Sequence, residues 1–301
     1  MFLDKNGNQW YKIGLHIHTT NSDGKKTPEE AAEIYKNAGF DAIAITDHWK
    51  YGAETEIDGL KIISGCEYNL GTHDTIDGVM HIVGVGMKEV PNLTRETATR
   101  QETIDEIIRT GGKAVLAHPY WSLNSVDDVK ALKGFSMLEI YNTVSDIGQS
   151  FRPYSGYIVD LLCNEGIYVP LIATDDAHYY NSDDECKSYI MVNCESCDTD
   201  SIVTAIEEKH FYATQGPELY VEIKNGRVFV DCSEVSRICF ISNSSWEADR
   251  TFRGENLTHA EYEIKPHEKW IRVEVCDKDG KQAWSNSLSV FTTQILKEGN
   301  L

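Results

Sequence analysis

The sequence predicts a parallel α/β arrangement closed as a barrel over its first two thirds, followed by a small antiparallel β region. Three observations predict it. From about residue 12 to 210, short apolar runs alternate with stretches of helical periodicity, the strand–helix–strand rhythm of parallel sheets. Histidines and acids recur at the C-terminal ends of those runs, which is the functional rim of a barrel of parallel strands. After Gly216-Pro217 the helical periodicity stops and alternation with period two takes over. The expected division is therefore residues 1–215 and residues 216–301.

In order, the strand candidates of the first region are residues 13–16, 42–46, 61–66, 80–85, 113–117, 137–141, 168–173 and 188–192. A helix follows from Thr27-Pro28-Glu29-Glu30, which supplies a capping hydroxyl, a proline in the first turn and early acids. Ala31, Ile34, Tyr35 and Ala38 then recur at helical spacing until Gly39. Residues 94–109 make a second helix, closed by Gly111-Gly112, and residues 152–164 a third, closed by Gly166. In the last region, 219–223 and 227–230 flank Asn225-Gly226, the dipeptide of a tight hairpin. Alternating segments at 237–242, 262–264, 270–275 and 288–292 complete an antiparallel set.

The chain carries 28 basic and 48 acidic residues, a net charge of −20. Such a field repels nucleic-acid phosphates, so broad nucleic-acid binding is not expected. A small phosphorylated molecule is still admissible where metal cations line a pocket. The N-terminus lacks the apolar core of a secretory signal, and no apolar run approaches the roughly 20 residues of a membrane span. The eight scattered cysteines read as reduced thiols of a cytoplasmic protein. Cys194 and Cys197 form a lone C-x-x-C with no second pair, a weak zinc or redox signal.

The strongest chemical signal is L-H-I-H-T-T-N-S-D-G. On a strand, His16 and His18 point to one face, and Asp23 can swing back to the same place from its Ser-Asp-Gly turn. Further along, apolar runs end in Asp47 and His48, in Glu67, in His118, and in Asp176 and His178, whereas His81 opens its run. A single histidine at a strand end is ordinarily a hydrogen-bonded structural residue. Six of the ten histidines placed this way, with matching acids, point instead to a polynuclear metal site. Mixed nitrogen and carboxylate donors suit zinc, manganese or iron.

The ordered series H-x-H-T, S-D-G, T-D-H, G-x-E, H-I-V-G, A-H-P and D-A-H resembles the PHP domain, named for polymerase and histidinol phosphatase, over residues 12–210. The resemblance implies a distorted (β/α)7 barrel with two or three divalent ions (manganese, zinc or iron, with magnesium possible). It implies that His16, His18, Glu67 and Asp176 hold one ion. Glu67, His81 and His118 hold a second, with Glu67 bridging, and Asp23, His48 and His178 hold the third. Some family members carry histidine where this chain has Asp23. Asp175 falls outside the D-x-H spacing to His178 and is expected to point elsewhere, to a supporting partner or to solvent, and Asp47, just before His48, is expected to support the ligands from behind. The stretch Arg272-Val273-Glu274-Val275 through Gln282-Ala283-Trp284-Ser285-Asn286 looks like the tail of PHP-type hydrolases that append a small C-terminal antiparallel β domain.

The implied activity is hydrolysis of a small phosphorylated metabolite, a nucleotide among the candidates, by metal-activated hydroxide. No protein nucleophile is required, and neither a Ser-His-Asp series nor G-x-S-x-G is present. Asp176, His178 and Glu67 are the expected catalytic positions, with Asp176 or a ligand histidine as leaving-group acid. Arg152, opening a helix after the 137–141 strand, is the expected grip on phosphate oxygens. Asn142 is expected to line the pocket and His73 to sit on a loop over it. Trp49 and Tyr120-Trp121 directly follow ligand residues and suit either ring stacking or rim packing. The rival readings are a metal-dependent amide, carbamate or ester hydrolase, and a non-catalytic metal-binding module.

Overall fold

The structure, a computed structural model, describes residues 2–4, 7–72, 74 and 78–290. It is a mixed α/β fold on two sheets of thirteen and five strands. In the larger sheet, Gln9–Gly14, Ala42–Ala44 and Leu60–Ile63 lie side by side and parallel, with Tyr189–Asn193 antiparallel beyond the first. The smaller sheet runs Leu171–Thr174, Met137–Asn142, Lys113–Ala117, Met80–Val85, Gly65–Leu70. Its first three strands are parallel and its last two pairings antiparallel.

The expected seven-stranded (β/α) barrel is therefore corrected: the ladders do not close into one ring. Part of the reason is local. A parallel pair needs a crossover of a dozen or more residues. The connection 71–79 is too short for one, so Gly65–Leu70 and Met80–Val85 pair as a hairpin. The two sheets instead meet at their site ends through isolated bridges, Ile17 to Ala177 on one flank and His48 to Glu67 on the other. The antiparallel course of Met80–Val85 also explains why His81 stands at a strand start. It pairs with Ala117, so the N-terminal end of one strand and the C-terminal end of the other share a rim.

The helices begin where capping chemistry places them. Thr27 and Glu30 form a capping box for Pro28–Asn37, and Thr99 and Glu102 do so for Arg100–Arg109. That second helix starts later than the expected residue 94 because Thr99 is its cap. The third is Gly156–Asn164, and a π-helical turn, Ser145–Gln149, precedes it. Two further helices, Val126–Ala131 and Thr199–Glu207, start on Ser125 and Asp198. Between helices and sheets lie fully buried apolar side chains, among them Ile13, Ile63, Leu116, Ile140 and Ile190.

The C-terminal hairpin joins Leu219–Lys224 to Arg227–Ser242. Asn225 and Gly226 take φ of 53° and 75°, the paired left-handed conformation of a tight hairpin turn. Strand Gln282–Trp284 pairs with both Trp270–Cys276 and Phe211–Thr214, so the larger sheet runs unbroken across residue 216. Trp270 and Trp284 are fully buried in the same core as the strands of the first region. All eight cysteines are free. Among the described residues, no helix is long and apolar enough to cross a membrane.

Candidate metal centre

The site forms where strand ends from both sheets converge. Gln9–Gly14 leads directly into His16 and His18, and Ala42–Ala44 leads into His48. Glu67 and His81 lie within their strands, while His118, Asp176 and His178 follow the ends of Lys113–Ala117 and Leu171–Thr174. The backbone is bent to achieve this: His118 and Asp176 have φ of 28° and 54°. Left-handed backbone in residues other than glycine costs of order 1–3 kcal/mol and persists where surrounding contacts over-determine it. Asp23 arrives through its turn because Gly24 has no side chain. A Cβ there would stand 2.5 Å from the His18 carbonyl group.

All nine expected ligand residues come together, in three groupings whose donor atoms lie within 4.8 Å of one another: His16, His18, Glu67 and Asp176; Glu67, His81 and His118; His18, Asp23, His48 and His178. Glu67, almost fully buried, is central. Its Oε1 lies 2.9 Å from His81 Nδ1, 3.3 Å from His16 Nε2 and 3.5 Å from His118 Nε2. Its Oε2 lies 3.0 Å from His18 Nε2 and 3.1 Å from His48 Nδ1. Asp176 Oδ1 lies 3.2 Å from His16 Nε2 and 3.1 Å from His18 Nε2. Asp23 Oδ1 faces His178 Nε2 at 3.4 Å and His18 Nδ1 at 3.6 Å.

These short distances are not a satisfied hydrogen-bond network. Asp176 Oδ1 and His48 Nδ1 are buried and make no hydrogen bond of proper geometry, although opposite charges stand close by. His16 Nε2 and His18 Nε2 approach each other to 3.2 Å. Nitrogen and carboxylate donors gathered within 4.8 Å of one another, two of them buried without a hydrogen bond, are what a cation's ligands look like. Buried polar atoms left in this state are costly without such a partner. The residues present therefore fit divalent ions bound by nitrogen and carboxylate oxygen.

A supporting layer orients the ligands. His16 Nδ1–H donates to Glu139 Oε1 at 2.7 Å, which turns the Nε2 lone pair to the cluster. His178 Nδ1–H donates to the Asp176 carbonyl at 2.6 Å, leaving Nε2 for Asp23. Asp47 accepts from Thr19 N at 2.7 Å, Thr19 Oγ1 at 2.6 Å and Ser22 Oγ at 2.7 Å, and so holds the His18–Asp23 turn. Asp175 points the other way, accepting from Tyr35 at 2.7 Å and from Ser188 N at 2.7 Å.

Electrostatics follow from this packing. Burial pushes His16 and His18 down, but Asp176 and Glu67 outweigh it, aided at His16 by Glu139. His16 ends well above its usual value and His18 at about 9. Burial wins at His48, which falls to about 4. Burial raises Glu67 and Asp176, yet the surrounding imidazoles hold both carboxyls far below the usual range. The same imidazoles that hold the Asp176 carboxyl low are the groups it shares the cluster with, so its charge is tied to theirs.

The pocket over the cluster is a cavity of about 300 Å³ whose walls include Asp23, His48, Glu67, His118, Trp121 and His178. A larger depression of about 800 Å³, along Asn193, Cys194, Glu195 and Glu208, lies apart from this cluster. Two substrate-binding expectations change. Asn142 is fully buried beneath the ligands, its amide donating to Glu139 at 2.9 Å and to Asp176 at 3.2 Å, so it braces carboxylates instead of facing substrate. Arg152 is not part of the cavity wall, which carries Lys25 as its cation. His73 lies outside the described residues.

Sequence reasoning passed over Glu139, which accepts from His16, the His118 N–H, Asn142 and Thr174. The available signal was an acid in the middle of the fully buried strand Met137–Asn142, flanked by Leu138 and Ile140.

The PHP domain family model matches residues 14–181. An uncharacterized protein of Methanocaldococcus jannaschii is 30% identical over 122 residues, which are 36% of this chain and 68% of that protein. Among solved structures, a two-domain protein from Bacteroides vulgatus containing a predicted PHP-like metal-dependent phosphoesterase shares the fold. The match has a TM-score of 0.57 and 15% identity, over 96% of this chain and 98% of that one. Endonuclease Q from Pyrococcus furiosus is more distant, with a TM-score of 0.46 and 16% identity over 66% of this chain and 56% of its own. Endonuclease Q has also been solved with a 27-mer duplex substrate, an abasic lesion at its active site. The expectation of no broad nucleic-acid binding is therefore corrected, and nucleic acid stays among the candidate partners. The physical reason is that net charge averages over a whole surface, whereas bound cations set the field over a pocket.

Proposed function

This chain belongs to the PHP domain family of metal-dependent hydrolases, and on that footing we propose that it hydrolyses a small phosphorylated metabolite with two or three divalent ions, manganese, zinc or iron. The observation that carries the reading is the set of three donor groupings linked by Glu67 and His18 in one pocket. We assign His16, His18, Glu67 and Asp176 to one ion, Glu67, His81 and His118 to a second, and Asp23, His48 and His178 to a third. We assign this chemistry to residues 1–215, and a buttressing role to the described strands after residue 216 through the pairing of Gln282–Trp284 with Phe211–Thr214.

Divalent ions, when bound, lower the pKa of water and neutralise charge on a phosphoryl oxygen. The protein's own part is geometric. Glu67 ties two groupings together, Glu139 presents His16 in the useful tautomer, and Asn142 keeps Asp176 turned inward. The buried floor of the pocket excludes bulk water from the ligand atoms, which strengthens every charge interaction there. His178, partly exposed on the cavity wall, meets the substrate side.

The test is a panel of p-nitrophenyl phosphate, bis-p-nitrophenyl phosphate and p-nitrophenyl acetate, assayed with and without manganese. Manganese-dependent release from the phosphates supports the reading. Turnover of the acetate alone overturns it in favour of an ester or amide hydrolase.

A further inference from the structure

We propose that Lys25 selects a doubly charged phosphoryl group over less charged esters at this site, an inference that rests on the phosphoesterase reading above. Lys25 is the one Lys or Arg side chain lining the cavity among the described residues. Its backbone is pinned from several directions. Its N–H donates to the His178 carbonyl at 2.8 Å, Gly24 N–H donates to Thr19 O at 3.0 Å, and Lys26 O accepts from Thr20 N at 2.8 Å. Gly24 itself packs against His18 too closely for any side chain. The Lys25 Cα is thus held beside two ligand segments, and only its flexible stem moves.

The adjacent lysines have divided their roles. Lys26 is paired with Glu30 of the first helix at 3.1 Å. Lys25 makes no ion pair with any described residue and is exposed at the pocket. An ammonium on a four-carbon stem is a compact point charge that can follow an oxyanion. It stands at the mouth of a pocket whose walls include Asp23, Glu67 and Asp176, on a chain of net charge −20. Substrate oxygens that do not contact the ions would otherwise meet a negative surface. Coulomb attraction scales with charge, so a phosphomonoester dianion gains about twice what a diester monoanion gains, and a neutral ester gains nothing.

The experiment uses the manganese-loaded full chain and compares wild type with Lys25→Ala, Lys25→Arg and Lys25→Glu. Lys25→Ala should raise KM for p-nitrophenyl phosphate about tenfold, the size of one charge-assisted contact, with kcat and metal content little changed. KM for the bis ester should rise clearly less. Lys25→Arg should restore most of the loss and Lys25→Glu should deepen it. Calorimetric titration with inorganic phosphate, which needs no turnover, should show the same weakening in Lys25→Ala. If wild type hydrolyses the monoester and Lys25→Ala leaves its KM and phosphate affinity unchanged, or shifts mono- and diester equally, the role of Lys25 is rejected and the phosphoesterase reading stands. If wild type turns over the acetate alone and binds no phosphate, both fall together.

Discussion

Two buried polar clusters in this protein are built to opposite rules. One is the ligand cluster around Glu67. The other surrounds Arg272, fully buried in strand Trp270–Cys276. Arg272 Nε and Nη2 reach Asp160 Oδ1 at 3.1 and 2.9 Å, Nη1 donates to Glu274, and Nη2 meets Tyr154 OH at 3.3 Å. Tyr154 in turn donates to Glu274. Here each charge finds its partner inside the fold, and the guanidinium stays well above its usual pKa because burial is outweighed by Glu274, Tyr154 and Asp160. Around Glu67, donor atoms face one another and two are left without hydrogen bonds. The same low-dielectric interior thus holds one closed ionic cluster and one open to an external cation. A closed cluster serves cohesion, in this case between the helix Gly156–Asn164 and the C-terminal strands. An open one serves binding.

Four measurements would break or sharpen that contrast. The largest effect is expected for Glu67→Gln. It keeps the side-chain volume but removes the charge shared by two groupings, so turnover should fall by several orders of magnitude. Elemental analysis should show lost metal, and full metal content with full activity would end the bridging assignment. Next, Arg272→Met should lower stability in urea unfolding by about 3–5 kcal/mol, the usual loss when one partner of a buried ion pair is removed. Metal bound per folded molecule should not change. Metal loss without unfolding would mean that the two clusters are coupled rather than separate.

A smaller change is expected for Glu139→Gln, which disturbs the acceptor that orients His16. Metal affinity should weaken about 10–100-fold, the range for residues supporting ligands, with the fold retained by circular dichroism. An unaltered affinity would reduce Glu139 to a structural acid. The mildest test is pH. Against burial, Asp176 and Glu67 push His18 up to about 9, and His16 and His118 are also raised. A histidine that binds a cation must first lose its proton, so metal affinity should rise as pH increases through neutrality towards about 9, with proton release. Chelator competition at two pH values, or calorimetry in buffers of different ionisation enthalpy, reads this directly. An affinity flat in pH would show that the ligands are already deprotonated.

The two clusters also differ in how far they could be read from sequence. The ligand residues were legible because each sits in a short motif at or near an apolar run, and because the ordered series of those motifs resembles the PHP domain, which implies the ligand sets. Glu139 was not, since its importance depends on four donors, three of them from other segments. Asn142 looked like a pocket residue from its place at the end of a strand. The neighbouring carboxylates, 34 positions away in the case of Asp176, decided otherwise. The Arg272 cluster was hidden for the same reason, with Asp160 lying 112 positions away in sequence.

By itself the sequence determined the α/β character, the change of texture near residue 216, the hairpin at Asn225-Gly226, and the nine side chains that converge on the site. These are matters of local periodicity, turn chemistry and residue type, all written within a few neighbouring positions. Only the tertiary structure decided that the strands form two sheets joined by single bridges, that Lys25 rather than Arg152 faces the pocket, and that one buried ionic cluster is closed on itself while the other gathers metal-type donors at a pocket. Each of those outcomes depends on which distant segments meet in a shared low-dielectric space, and neither periodicity nor composition encodes that meeting.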